Sequence, residues 1–298
     1  MTFVAPERLG VGCSLLPSLS SVVAALGDAV DFVEVGPDTL CREVADGEGS
    51  AMRFVPDLLD EVLAATAPLP TVVHGVELSI GTASGWNPAY LEVLDEWRRH
   101  RPFPWHSEHI GFLFTRDGTR VRHAGVPLPL PFTREAVDLV AARADALLAR
   151  YEVPFLLENA AYYLPDLPHD KGWDEATFLT ELVTACDCGL LLDLFNLYVN
   201  ATNHGLDPTA LLARMPLERV VEVHVAGGDV AEGFLLDSHS GAVPDPVWAM
   251  LDWLLPRAPN VAGVVFEVLE THFPRVGLDL VQDQLERLRR SWLAVGAR

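Results

Sequence analysis

The sequence predicts an α/β protein, a single (β/α)8 TIM barrel that occupies residues 1–298 as one domain. Eight short apolar runs of strand length recur along the chain, and amphipathic segments of helical length separate them. Nearly continuous apolar strands are typical of a parallel sheet covered by helices, and eight such units close into a barrel. An open doubly wound sheet is the alternative, but no glycine-rich phosphate fingerprint follows the first run.

Each element rests on its own pattern of apolar residues. The predicted strands occupy residues 10–15, 31–35, 71–75, 105–111, 155–159, 190–196, 220–225 and 263–268. Pro88 suits the first position of a helix, and Thr133 is a typical N-cap residue. The predicted helices occupy residues 18–26, 52–65, 88–100, 133–150, 174–186, 208–215, 246–255 and 278–295.

Two long connections follow strands, on the side where barrel enzymes form their sites. Residues 113–132 contain a predicted hairpin turn at 116–119 and an extended VPLPLP segment, and residues 162–173 contain two prolines. We expect these connections to form a lid or a peptide groove, with a plain surface loop as the open alternative.

Composition excludes several classes of protein. The net charge of −21, from 42 acidic and 21 basic residues, argues against nucleic acid or an anionic membrane as a partner. The chain has neither an N-terminal signal pattern nor an apolar run of ~18 residues, which predicts a cytoplasmic protein without a membrane segment. Four scattered cysteines do not make a disulfide scaffold, and Cys186-Asp187-Cys188 lacks the second pair of a thiolate metal site.

Histidines and carboxylates gather at the C-terminal ends of the predicted strands, where barrel enzymes place functional residues. Lysine and arginine do not occur at these ends. Carboxylates crowded into a low-dielectric barrel mouth repel one another unless cations offset their charge, so we expect bound metal. The candidate ligands exceed what one ion needs, which predicts two or three ions that share bridging carboxylates. They are His74, His109, Glu158, Asp193, His224, Asp237, His239 and Glu267.

The donor types leave several questions open. Imidazole and carboxylate suit iron, manganese and zinc alike, although the lack of a thiolate disfavours structural zinc. His74 could instead be a buried core histidine that binds no metal, and Asp237-Ser238-His239 could be only a polar turn. Six further polar residues could either support a metal ligand or contact the substrate, and the sequence pattern does not decide between these roles. They are Glu34, Glu108, Asn159, Asn200, His204 and His272.

Six motifs, spread in order over nearly the whole chain, together resemble the multinuclear non-heme iron-dependent oxidative enzymes, the MbnB- and TglH-like TIM-barrel proteins. They are HGVELSIG (74–81), SEHIGF (107–112), LLENAAYY (156–163), LLLDLFNLYVNATNHG (190–205), HVAGG (224–228) and DSHSGAVPDPVWAML (237–251). Residues 268–274 depart from a commonly seen, more charged form, which leaves Glu267 in place but bears on the identity of the substrate.

The resemblance implies two or three iron ions of mixed Fe(II) and Fe(III) state. One iron would be held by His74, His109 and Glu158. Glu158 would bridge to a second iron that Asp193, His224 and Glu267 also bind. Asp237 and His239 would hold a third, with Asn196 nearby. The catalytic residues expected on this basis are Glu158, Asn196 and His239.

The resemblance also implies a substrate and a reaction. A ribosomally made precursor peptide would be oxidised with O2, typically at cysteine. Fe(III) would bind the substrate thiolate and Fe(II) would activate O2 for hydrogen abstraction from the cysteine β-carbon. Many members act with a small partner protein that recognises the leader peptide, and we expect such a partner because the chain carries no extra C-terminal leader-binding domain.

Two other functions remain open at the level of sequence. A zinc- or manganese-dependent sugar isomerase or phosphodiesterase uses a similar cluster on the same barrel, and iron content and O2 uptake separate it from an oxidase. A non-catalytic barrel subunit that binds metal or peptide would tolerate replacement of the cluster residues without loss of function.

Overall fold

The computed structural model describes residues 3–15, 20–45, 50–117 and 120–296. Eight parallel strands form a closed barrel in which each strand pairs with the next along the chain and the eighth pairs with the first. The predicted TIM barrel is therefore confirmed. The strands are β1 (Gly10–Leu15), β2 (Phe32–Val35), β3 (Thr71–Gly75), β4 (His106–His109), β5 (Phe155–Glu158), β6 (Gly189–Asp193), β7 (Val220–Val225) and β8 (Gly263–Phe266).

Helices follow the strands and cover the outside of the barrel. Five of the described helices begin at a side chain that accepts a hydrogen bond from a backbone N–H of the first turn. These capping residues are Asn87, Thr133, Asp174, Asp193 and Asp207. The helices are α1 (Ser20–Leu26), α2 (Pro56–Ala65), α3 (Pro88–His100), α4 (Arg134–Tyr151), α5 (Glu175–Ala185), α6 (Leu194–His204), α7 (Pro208–Leu212), α8 (Asp245–Leu254) and α9 (Phe273–Gly296). None of the described helices is both long and apolar enough to cross a membrane.

Two predicted elements prove to be composite. The predicted strand 105–111 ends at His109, and Gly111–Asp117 pairs antiparallel with Arg120–Pro129 in a hairpin, which we call the β4 hairpin. Residues 116–117 of the predicted turn belong to the first strand of this hairpin, and residues 118–119 are outside the described part of the chain. The predicted helix 52–65 begins only at Pro56, because the residues before it form a second hairpin.

The predicted strand 190–196 is also too long. It ends at Asp193, whose side-chain Oδ1 accepts a hydrogen bond of 2.7 Å from the backbone N–H of Asn196. This contact starts α6 at Leu194, a helix that the prediction missed. The correction places Asp193 at the junction of strand and helix, at the C-terminal edge of the barrel.

Large apolar side chains fill the barrel interior below this edge. The ring of Phe32 reaches across to β8, where a Cβ added at Gly263 would lie 2.7 Å from it, and it meets Trp105 edge-on with ring centroids 6.1 Å apart. Inward positions on a strand recur every two residues. Glu34, Glu158 and Asp193 therefore each lie one step above an apolar residue of this layer.

Candidate metal centre

The ends of β3 to β8 bring the predicted donors into three adjoining groups, and in each group the potential ligand atoms lie within 4.8 Å of one another. The first group joins the side chains of His74 and His109 to Glu158. Oε2 of Glu158 lies 3.2 Å from Nε2 of His74 and 3.1 Å from Nε2 of His109. The side chain of Glu158 is buried, and those of His74 and His109 are partly buried.

The other two groups share carboxylates with their neighbours. Glu158 belongs also to the second group, with Asp193 and His224. Asp193 belongs in turn to the third group, with His239 and Glu267. Asp237 adjoins the third group, because its Oδ1 lies 2.6 Å from Nε2 of His239. The structure thus brings all eight predicted donors to one end of the barrel.

Several of these buried donor atoms either face one another within the cluster or have no hydrogen-bond partner among the described residues. Buried polar atoms normally have such a partner. Two ligands at right angles on one ion, with bonds of ~2.1 Å, lie about 3 Å apart, and the separations around Glu158 match that value. The residues therefore fit shared cations. Oδ2 of Asp193 and Oδ1 of Asn196 have no hydrogen-bond partner among the described residues. The atoms that face other members of the cluster are Nε2 of His74, Oε2 of Glu158, Oδ1 of Asp237 and both ring nitrogens of His239.

Outer contacts orient the rings of His74 and His109. The hydroxyl of Ser107 donates to the carbonyl oxygen of Val73 at 3.2 Å, so its oxygen accepts from Nδ1 of His74 at 2.8 Å. Nδ1 of His109 faces the carbonyl oxygen of Gly75 at 3.4 Å. Both rings therefore turn Nε2 toward Glu158. A hydrogen bond on one ring nitrogen that frees the other is typical of metal-ligating histidine.

His224 lies between two carboxylates at the centre of the cluster. Its Nε2 is 2.9 Å from Oε2 of the buried Glu34, and its Nδ1 is 3.0 Å from Oε2 of Glu267. Burial favours the neutral ring, but Glu34 and Glu267 outweigh burial and raise the pKa of His224 well above its ordinary value. Glu34 thus orients the ring of His224, which is one of the two roles that the sequence left open for it.

The charge of Glu158 is also set by its neighbours. Burial disfavours its anion, but His109 and His74 outweigh burial and lower the pKa of Glu158 to about 2. Burial favours the neutral ring of His74, but Glu158 and Glu34 outweigh burial and raise its pKa to about 10, so in the absence of a cation the protonated His74 offsets this carboxylate. A metal ion bound at His74 would displace that proton, as metal binding to histidine generally does.

Asp193 is held from the side by two asparagines. The side chain of Asn159 accepts from the backbone N–H of Asp193 at 2.8 Å and donates to its carbonyl oxygen at 3.1 Å. Asn196 donates from Nδ2 to the carbonyl oxygen of Asn159 at 3.1 Å. Burial, followed by Asp237 and Glu158, raises the pKa of Asp193 well above its ordinary value. Its anion thus lacks the compensation that Glu158 has.

A cavity of about 470 Å³ opens onto the cluster from the barrel mouth. Val126 and Pro127 of the β4 hairpin border it on one side, and Tyr163 of the loop after β5 borders it on another. Both long connections singled out in the sequence therefore contribute to its wall. The cluster residues that line it are His74, His109, Asn196, Asp237, His239 and Glu267.

The remaining predicted residues lie around the site with different contacts. Asn200 accepts from the backbone N–H of Tyr162 at 2.8 Å, and Nε2 of His204 lies 3.0 Å from the carbonyl oxygen of Tyr162, so both hold the loop after β5. Glu108 lies on the outward side of β4, where its carboxyl group makes no hydrogen bond to a histidine of the described chain. His272 ends a short 3-10 helix, outside the three donor groups.

Sequence reasoning missed Glu222. Its carboxylate is fully buried, forms a further group with Glu34 and His224, and accepts from Nε1 of Trp105 at 2.7 Å. Burial, followed by Glu34, raises its pKa to about 8. The signal was present in VVEVHV, since residues two apart on a strand share a face and Glu222 precedes His224 by two.

Comparisons with known proteins place the chain in a family. The model of the RiPP precursor modification enzymes MbnB/TglH/ChrH, where RiPP denotes a ribosomally synthesised and post-translationally modified peptide, matches residues 10–290. A UPF0276 protein of Caulobacter vibrioides is 32% identical over 265 residues, which cover 89% of this chain and 87% of that protein. A UPF0276 protein of Nitrosospira multiformis is 33% identical over 269 residues, or 89% and 86% of the two chains.

Similar solved structures support the fold. Mannonate dehydratase from Streptococcus suis has a TM-score of 0.57 and 14% identity, over 98% of this chain and 95% of its own. D-psicose 3-epimerase from Clostridium cellulolyticum H10 has a TM-score of 0.52 and 13% identity, over 96% of each chain. At such low identity the likeness extends to the barrel and not to the reaction. By the match over residues 10–290, the chain belongs to the MbnB/TglH/ChrH family of RiPP precursor modification enzymes.

Proposed function

We propose that the protein is a multinuclear iron-dependent oxidase that uses O2 to modify a ribosomally synthesised precursor peptide at cysteine. The observation that carries the proposal is the position of Glu158, which two donor groups share. Its buried Oε2 lies 3.2 Å from Nε2 of His74 and 3.1 Å from Nε2 of His109, so both rings converge on one carboxylate oxygen. A carboxylate between two such groups is suited to bridge two ions.

The three donor groups suggest which residues would hold each ion. His74, His109 and Glu158 would hold the first, and Glu158, Asp193 and His224 the second. The third group differs from the division expected from the resemblance, because His239 lies with Asp193 and Glu267 as well as Asp237. Bound iron would supply the redox chemistry that the side chains of the protein lack.

The protein's own residues would orient the substrate. Oδ1 of Asn196 is buried without a partner among the described residues and borders the cavity, so it would accept a hydrogen bond from a peptide N–H. The acidic cavity would repel a cysteine thiolate unless cations offset its charge. Its volume of about 470 Å³ suits a few residues of an extended peptide, so recognition of the rest would fall to the predicted leader-binding partner.

The experiment combines metal content with peptide oxidation. Protein purified without oxygen should contain at least two irons per chain. Coexpression with a short cysteine-containing peptide encoded beside its gene should change the mass of that peptide, and O2 uptake should accompany the change in vitro. A Cys→Ser peptide should remain unmodified, and Glu158→Gln should lower iron content and activity together.

Two results would contradict the proposal. Less than one metal ion per chain would remove the metal centre altogether. Activity with zinc or manganese and without O2 uptake would instead favour the isomerase or phosphodiesterase alternative.

A further inference from the structure

The loop between β7 and α8 carries Asp237 and His239, and it needs outside support to hold them. His239 has a φ of 46°, in the left-handed region that side chains other than glycine rarely adopt. The backbone N–H of Leu269 donates to the carbonyl oxygen of His239 at 3.1 Å. Arg275 binds Asp229 at 2.7 Å, at the start of the same loop. The loop is thus fastened on the side of β8 and α9.

Tyr163 fastens the loop from the opposite side of the site. The backbone N–H of Asp237 donates to the hydroxyl oxygen of Tyr163 at 2.9 Å. The ring of Tyr163 also meets Phe234 edge-on, with centroids 6.4 Å apart, where the loop forms a short hairpin. Tyr163 follows Glu158 by five residues in the sequence. One side chain therefore ties the segment after the shared carboxylate to the backbone of a second candidate ligand.

We propose that Tyr163 is a positioning residue that holds Asp237 and His239 in place for the third metal position. This inference rests on the proposed metal centre. The hydroxyl group is the decisive part of Tyr163, because it is the group that accepts the hydrogen bond from the backbone N–H of Asp237. Removing it would leave the loop free to move Oδ1 of Asp237 relative to Nε2 of His239, which it approaches at 2.6 Å. Groups that orient metal ligands typically change metal affinity by ~10–100-fold when they are removed.

The chain offers a matched control next to this residue. Tyr162→Phe deletes the same atom one position earlier, and the ring of Tyr162 stacks on His204 with centroids 4.7 Å apart. Its hydroxyl makes no hydrogen bond to the loop between β7 and α8 within the described residues. In Tyr163→Phe the ring contact with Phe234 can remain, so the two variants differ in the bond to Asp237.

Two measurements test the proposal. In the metal-free protein, hydrogen exchange should be faster in the peptide that contains Asp237 for Tyr163→Phe than for the wild type or Tyr162→Phe. In anaerobic titrations with Fe(II) alone, competed by a colorimetric chelator, one site of Tyr163→Phe should lose about tenfold in affinity. The other sites should keep their affinity, and Tyr162→Phe should match the wild type in both measurements.

The outcomes separate this inference from the proposed function. The role of Tyr163 would be overturned if hydrogen exchange or iron affinity were unchanged in Tyr163→Phe, or if both variants showed equal effects. The metal centre would still be supported in that case, provided that the wild type binds two or more irons. A wild type that binds no Fe(II) would overturn both.

Discussion

Histidines on one strand can have unlike roles, and β4 shows this at the scale of single residues. His109 faces into the barrel toward Glu158, whereas His106 faces outward and packs against the rings of Tyr151 and Phe155. The sequence predicted His109 as a ligand, whereas His106, three residues before it, is fully buried outside the cluster. Which of two alternating positions faces inward depends on the closure of the barrel, so the pattern HSEH does not decide it.

Replacing His106 should make the protein more tolerant of acid. Burial, followed by Arg98, lowers the pKa of His106 from an ordinary 6.5 to about 3. Between these values the unfolded chain binds the proton and the folded chain does not, so stability is lost as the pH falls below 6.5. In His106→Phe this loss disappears. The slope of the unfolding free energy against pH should therefore be smaller below pH 6.5, by up to ~1.4 kcal/mol per pH unit.

Urea denaturation of His106→Phe and wild type at pH 7 and pH 5 would measure this difference. Parallel losses of stability in His106→Phe and wild type would show that His106 takes up its proton in the folded protein.

At the scale of elements, the sequence predicted which strands and helices exist better than where they end. The run LLLDLFNLYV is apolar almost throughout, and such a run does not by itself separate a buried strand from a buried helix. The boundary is set by Asp193, which ends β6 and caps α6. The same contact uses one carboxylate oxygen for the helix and leaves the other facing the cluster.

Gly228 should be required for the loop between β7 and α8. A Cβ at this position would overlap the carbonyl oxygen of Leu236 and lie 2.9 Å from the ring of Phe195. Gly228→Ala should therefore cost about 1–3 kcal/mol of unfolding free energy, as overpacking typically does. Gly241→Ala, in the same loop, is the control because a Cβ there would meet nothing within 4 Å. Chemical denaturation of both variants would test this, and equal stability would contradict the tight closure.

At the scale of the whole molecule, the described ion pairs of arginine lie outside the acidic cluster. In the described part of the chain, the ion pairs of Glu158 and Glu267 are with histidines. Arginines pair elsewhere, as Arg289 does with Asp31 at 3.1 Å. The lack of lysine and arginine at the strand ends predicted this isolation. The division into donor groups was beyond the sequence, because it depends on how barrel closure brings the strand ends together.

Chelation of bound metal should therefore lower the melting temperature. A ligand present at 100 times its Kd stabilises the folded state by about 2.7 kcal/mol, which corresponds to roughly 4 °C for a chain of 298 residues. Glu158→Gln should show little further decrease with chelator, because it removes the carboxylate that two donor groups share. Differential scanning calorimetry with and without chelator would measure both effects. An unchanged melting temperature in a wild type shown to hold iron would mean that protonated histidines alone offset the repulsion among these carboxylates.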